Sequence, residues 1–266
     1  MNLTNFAEAA LLGVVEGLTE FLPVSSTGHL ILLIDLLGFE GPTGKLFEIV
    51  IQLGAILAVC WVYRQKLIGT LVHLHDRPEA RHFAAVILTA FIPSMVIGAL
   101  AYKTIKEVLF SPLIVSSMLV VGGIAMLVIE KLRPAPRFHA AEEVSLKRAL
   151  AVGLFQCVAM IPGVSRAAAT IMGGMLMGID RRTATEFSFF LAIPTMLAAT
   201  VFDLWKNRHD LTADGLSLIG IGFAAAFVTA LIVVRLAIGF VSRHGFAPFA
   251  IYRIVIGLLM LGILLY

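Results

Sequence analysis

The chain has 266 residues, 59% hydrophobic and only 14% charged, with mean hydropathy +0.98 and a formal net charge of +3. A soluble domain carries about a quarter charged residues, so this composition excludes a soluble globular enzyme, a disordered tail and a nucleic-acid binder. It describes an integral membrane protein, helical almost throughout.

In chain order, residues Met1 to Glu8 place no basic residue ahead of the first apolar stretch, so no cleaved signal peptide is expected. Region 3–39 is apolar but holds Glu16, Glu20, Pro23, Ser25, Ser26 and His29 in its middle. Three stretches long enough to cross a bilayer follow, at about 46–63, 82–102 and 112–130. A polar linker, 131–148, comes next. Region 147–178 again has a polar break in its middle, with Gln156, Pro162, Gly163, Ser165 and Arg166. Three more spans complete the chain, at about 185–205, 215–235 and 247–266. Trp61, Tyr63, Tyr102, Trp205, Tyr252 and Tyr266 lie near span ends, as interfacial anchors do. Cys60 and Cys157 lie inside apolar runs and give neither a disulfide framework nor a zinc site.

The two interrupted regions do not fit simple spans. Irregular backbone at membrane depth survives only where protein or a wet cavity satisfies it. Both are expected to be re-entrant helical hairpins, 3–39 and 149–178, that enter and leave on one side. Basic residues test this. With loop 64–81 in the cytoplasm, loops 64–81, 131–148, 181–182 and 235–243 carry thirteen Lys or Arg. The other side carries five: Lys45, Lys103, Lys106, Lys206 and Arg208. That excess obeys the positive-inside rule. The expected fold is therefore an all-α membrane protein of six transmembrane helices and two re-entrant hairpins. Each half, 1–130 and 149–266, is one hairpin plus three spans, with 131–148 as cytoplasmic linker. Three spans per half make the halves inverted repeats in one integrated membrane domain, which sets broken helices face to face near the midplane. The breaks read alike, Pro23-Val-Ser-Ser26 and Pro162-Gly-Val-Ser165.

Glu16 and Glu20 stand at i, i+4 and share a helix face. Two carboxylates in an apolar helix need a cation, a proton or an arginine. Ser25, Ser26 and Thr27 follow Pro23. Each alone would simply cap the next helix, and His29 alone would be a hydrogen-bonded interface histidine. Beside the Glu pair, however, a serine and an imidazole are the parts of an activated nucleophile. The second break is sharper. Arg166 between apolar half-helices cannot stay unpaired in hydrocarbon. Gly163 allows close backbone approach, Ser165 and Thr170 supply hydroxyls, and N–H groups at the start of the next half-helix favour an anion. A fixed guanidinium with N–H donors is phosphate chemistry. The alternative is an ion pair that merely locks the hairpins, and both hold if Arg166 pairs with Glu16 or Glu20 when no substrate is bound. Glu48, Gln52, Glu186 and Ser188 on the following spans are candidates for supporting contacts or for polar links between helices.

Glu16-Gly-Leu-Thr-Glu20-Phe-Leu-Pro-Val-Ser-Ser26-Thr-Gly-His29 resembles the first signature of the bacterial undecaprenyl pyrophosphate phosphatase family, also known for bacitracin resistance. Pro162-Gly-Val-Ser-Arg166-Ala-Ala-Ala-Thr170 resembles the second. The resemblance spans the whole chain in length and spacing. It implies an enzyme that removes the terminal phosphate of the C55 lipid pyrophosphate, so recycling the carrier for peptidoglycan synthesis and maintaining cell shape. It implies functional roles for Glu16, Glu20, Ser26, His29, Ser165 and Arg166, a divalent-metal requirement that suits the Glu pair, and a site opening to the periplasmic side of the bacterial inner membrane. One departure is Ala167, where such families usually have a second Ser.

The expectation is thus a polytopic phosphatase whose site forms where the hairpin tips meet. Ser26 is the preferred nucleophile, with His29 or a Glu as base. Arg166, Ser165, Gly163, Thr170 and Ser25 bind substrate, and Glu16 and Glu20 hold Mg²⁺ or Ca²⁺. Attack by metal-bound or Glu-activated water is a variant. The partners are the lipid pyrophosphate and the bilayer, with no nucleic acid, and a homodimer is compatible. The rival class is a secondary transporter or lipid flippase, since inverted repeats with broken helices are a transporter architecture. A transporter, however, needs no nucleophile. A channel or scaffold does not account for the buried charges.

Overall fold

The computed structural model describes residues 3–39, 46–104, 111–206 and 213–265, without the side chains of residues 3, 102–104, 206, 213 and 214. All five basic residues assigned above to the far side, and Tyr102 and Tyr266, fall outside the described residues or side chains. The described chain is helical: α1 (Leu3–Thr19), α2 (Ser26–Leu37), α3 (Leu46–Val62), α4 (Arg64–Val72), α5 (Pro78–Thr104), α6 (Pro112–Leu132), α7 (Leu146–Val158), α8 (Arg166–Leu176), α9 (Arg181–Lys206), α10 (Ala213–His244) and α11 (Ala247–Leu265). No strand forms among the described residues.

Five helices, α5, α6, α9, α10 and α11, are long and apolar enough to cross a membrane, and α3 with α4 makes a sixth when counted as one bent span. Their outward faces carry Leu100, Leu113, Ile232, Leu236 and Ile263, all exposed, which water would not tolerate and lipid does. The chain is a multi-pass membrane protein.

Two expected loops are corrected. Residues 235–243 belong to α10, because nothing from Arg235 to Arg243 breaks a helix except one tolerated glycine; the chain turns instead at Gly245, which has φ +68°. Residues 64–72 of the expected loop 64–81 form α4, bent by 73° from α3.

Both interrupted regions are helix–break–helix. In each, a serine in the left-handed region ends the break, Ser25 at φ 73° and Ser165 at φ 76°. They are the only non-glycine residues with positive φ among those described. Each following half-helix ends on a left-handed glycine at the same spacing, Gly38 after α2 and Gly178 after α8. The first half-helices lie against long spans, α1 along α10 and α7 along α5. A Cβ on Gly17 would come within 2.5 Å of Ala226 O, and one on Gly153 within 2.3 Å of Ala90 O, so glycine sets both approaches. The spans α6 and α11 pair with each other, as do α3 and α9. The second half-helices differ. In α8, Ala167, Ala168 and every residue from Thr170 to Met175 are buried, whereas α2 buries only Ser26, Gly28 and Leu30.

Candidate active site

The two breaks meet. Ser26 is the first residue of α2 and Arg166 the first of α8, and Glu20, just beyond α1, joins them. Ser26 Oγ donates to Glu20 Oε2. Arg166 Nη2 donates to Glu20 Oε1 at 3.0 Å, in an ion pair whose side chains are 13% and 7% exposed. One carboxylate thus bridges the hydroxyl of one interrupted region and the guanidinium of the other. The desolvation cost of such a pair is repaid only when further hydrogen bonds satisfy its remaining atoms. Here Arg166 Nη1 donates to Ser188 O at 2.9 Å on α9. Thr170 Oγ1 lies 2.7 Å from Ser188 Oγ and 2.9 Å from Arg166 O. Thr170 therefore props the arginine from behind. Arg166 Cζ also lies 5.7 Å from the centre of the Phe21 ring.

Around this bridge is a polar cavity of about 150 Å³, lined by Glu20, Ser25, Ser26, Thr27, Gln52, Pro162, Gly163, Ser165 and Arg166 among others. The starts of α2 and α8 both face it. Ser165 Oγ accepts from Ala168 N at 3.2 Å and so caps α8, whereas Ser25 makes no side-chain cap. A second, largely apolar groove of about 460 Å³ runs between α5, α7 and α9, past Phe91, Met95, Gly98, Met160, Ala198 and Phe202. The two cavities share Ala159 and Arg166.

The remaining expected residues fall into three groups. Glu16 is fully buried and neither carboxylate oxygen has a hydrogen-bond partner. Its electrostatic neighbours are Glu20, Arg166 and Glu48. A buried carboxylate left so is costly, and the two Glu side chains are a donor set that suits a hard divalent ion completed by substrate oxygens. Among the described residues no three His, Cys, Asp or Glu gather as a ready-made metal cage. His29 is not brought to Ser26. Its Nδ1 is 2.8 Å from Ser25 O and its Nε2 is 2.7 Å from the hydroxyl of Tyr252 on α11, with the rings stacked. Glu186 lies elsewhere, 3.3 Å from Arg182 in a cleft with Tyr63 and Arg235.

Sequence reasoning missed Arg253. It is completely buried on α11, yet its guanidinium reaches Pro23 O and Gly163 O, one carbonyl from each break. The signal was present, an arginine inside an apolar span, but a tally of loop charges passes over it. Ser188 is among the supporting or interhelical contacts that the sequence suggests, without Arg166 as its named partner, and Tyr252 is there an interfacial anchor; its bond to His29 is not expected.

The family model described as "Bacitracin resistance protein BacA" matches residues 9–259. The chain is 59% identical over 258 residues to undecaprenyl-diphosphatase 2 of Paramagnetospirillum magneticum, covering 97% of this chain and 98% of that one. It is 53% identical over 255 residues to undecaprenyl-diphosphatase of Acinetobacter baumannii, covering 96% and 94%. It is 49% identical over 266 residues to undecaprenyl-diphosphatase 2 of Shewanella oneidensis, covering 99% and 100%. With a bridged serine, glutamate and arginine where two broken helices meet, and this similarity along nearly its whole length, the chain belongs to the BacA bacitracin-resistance family.

Proposed function

We propose that this chain hydrolyses the terminal phosphate of undecaprenyl pyrophosphate, giving undecaprenyl phosphate and inorganic phosphate. One observation carries the proposal: Arg166, bridged through Glu20 to Ser26, lines both a polar cavity and an apolar groove. A ligand with a pyrophosphate head and a prenyl tail has those two parts in that order. The names of the relatives agree.

In this reading Glu20 takes the Ser26 proton, which the hydrogen bond between them supports. Ser26 Oγ then bonds to the terminal phosphorus while the bridging P–O bond breaks, and undecaprenyl phosphate leaves with the bridging oxygen. Arg166 and the N-termini of α2 and α8 neutralise charge on the phosphoryl oxygens. Water next adds to the phosphoserine, inorganic phosphate departs, and Ser26 Oγ recovers a proton. Glu16 and Glu20 are the residues that would hold a divalent ion, which when bound supplies further neutralisation of phosphate charge.

The wider arrangement we infer is six spans and two re-entrant hairpins in inverted repeats, 1–130 and 149–266, in the bacterial inner membrane, with the site open to the periplasm. The matching spacing of left-handed residues, Ser25 to Gly38 and Ser165 to Gly178, supports the repeat. So does the exchange of partners, α1 with α10 and α7 with α5. Both halves of the site come from one chain, so a homodimer is not required for chemistry.

The test is phosphate release from undecaprenyl pyrophosphate by purified protein in detergent, with Ser26→Ala and Arg166→Ala alongside. Release by the wild-type chain, lost in both variants, is expected. Movement of the lipid across vesicles without phosphate release would establish the flippase reading instead.

A further inference from the structure

Arg253 is the largest fully buried side chain among those described, and its guanidinium meets no carboxylate. Nη1 donates to Pro23 O at 3.2 Å. Nη2 donates to Gly163 O at 2.9 Å and to Met118 O of α6 at 3.2 Å. Burying an uncompensated cation is expensive, and three carbonyls offset that cost only partly. A cost of this kind in a membrane helix is retained for a purpose.

The carbonyls explain the purpose. Pro23 stands two residues before Ser25, and Gly163 two residues before Ser165. Those serines hold the left-handed backbone that turns each break into its half-helix. Such strained residues persist only where their surroundings over-determine them. The planar guanidinium fork takes equivalent carbonyls of the two breaks at once, which an ammonium on a flexible stem cannot match. The neighbouring Tyr252 adds a bond from the same turn of α11 to His29, four residues beyond Ser25. Space for the clamp is provided by Gly122 on α6, where a Cβ would come within 2.1 Å of Arg253 Nη2.

We infer that Arg253 is a positioning residue, holding the two hairpin tips in register so that Ser26 with Glu20 and Arg166 meet across the site. This rests on the phosphatase function proposed above. Arg253 does not line the polar cavity, so it acts through the backbone and not on substrate. A misplacement of about 1 Å between reacting groups costs about a hundredfold in rate. The signature is therefore a loss in kcat with KM nearly unchanged.

The experiment uses the full chain purified in detergent, with Arg253→Met, Arg253→Lys, Gly122→Ala and the Gly122→Ala/Arg253→Met double variant. Steady-state phosphate release is measured beside thermal unfolding. In parallel, spin labels on Leu36→Cys of α2 and Leu154→Cys of α7, both exposed, report the distance between hairpins, with Cys60 and Cys157 replaced by alanine. Arg253→Met and Gly122→Ala are each expected to lower kcat at least about tenfold, with KM within about threefold. Lysine should recover part of the loss. The double variant should be no slower than Arg253→Met alone, since with the guanidinium gone the added methyl displaces nothing. The label distances should broaden in Arg253→Met.

Normal kcat in folded Arg253→Met would overturn the inference, as would losses that multiply in the double variant. A rise in KM alone would replace it with direct substrate contact. If Arg253→Met does not fold, normal kcat in Gly122→Ala overturns it equally. The label distances decide without turnover. A wild-type chain that releases no phosphate would count against the phosphatase proposal, and an unbroadened distance distribution against the positioning role.

Discussion

Arg166 makes three kinds of contact at once, with a carboxylate, a backbone carbonyl and an aromatic face. Lysine keeps the charge but loses the planar fork. Arg166→Lys is expected to lower phosphatase kcat by at least about tenfold, the scale of a lost charge-assisted contact; near-normal turnover would make Arg166 structural only. Glu16 raises a different question, since its oxygens are buried without a hydrogen-bond donor while Glu20 accepts one bond on each oxygen, from Ser26 and Arg166. If the two carboxylates hold one divalent ion, Glu16→Gln and Glu20→Gln each weaken the metal dependence. Their double variant then loses much less than the separate losses combined, as for residues acting as a unit. Metal titrations of phosphate release and of intrinsic fluorescence check this, and full activity in excess chelator would rule the ion out.

At the scale of elements, the half-helices were legible because their punctuation is local. Pro23, Pro162, Gly163 and the serines after them mark breaks by chemistry that needs no partner. The end of α10 is marked just as locally, by Gly245 at φ +68°, but the charges from Arg235 to Arg243 read as a loop and hide it. The Ser26–Glu20–Arg166 bridge was foreseeable as a set of residue types, while the turning of His29 toward Tyr252 was not, because it depends on α11, more than two hundred residues away. The apolar groove is likewise tertiary. Its wall at Gly98 has room: a Cβ there would sit 3.5 Å from Met160 Cε, an ordinary contact. Gly98→Leu should therefore leave the fold intact and fill the groove. The KM for undecaprenyl pyrophosphate is expected to rise at least about fivefold, on the scale of roughly 1 kcal/mol of lost apolar burial. Hydrolysis of a soluble C5 isoprenoid pyrophosphate should be unchanged. Equal effects on both substrates would take the groove out of the prenyl path.

For the whole molecule, the sidedness we propose rests on charge, and contacts gather the charged loops at one end. The loops assigned to the cytoplasm come together at one end of the bundle. Lys66 pairs with Glu142, joining α4 to the linker. Arg181 pairs with Glu130 at 2.7 Å, and Glu130 also accepts from Phe246 N at 3.0 Å, which gathers the ends of α6 and α9 with the turn before α11. His139 of the linker lies 3.3 Å from Asp180, just before α9. An end that collects five segments carrying most of the basic residues is the one we propose for the cytoplasmic side. Two spans, α5 and α6 and then α9 and α10, separate successive returns to this end, and that parity holds only if hairpin 149–178 enters and leaves on one side. Were the hairpin a full crossing, residues 139 and 208 would fall on the same side. In a chain with both native cysteines replaced by alanine, His139→Cys is expected to resist a membrane-impermeant maleimide on intact cells. Arg208→Cys should react. Strong labelling at 139 would invert the orientation, and protection at both would convert the second hairpin into a span, breaking the relation between the halves on which a shared site depends.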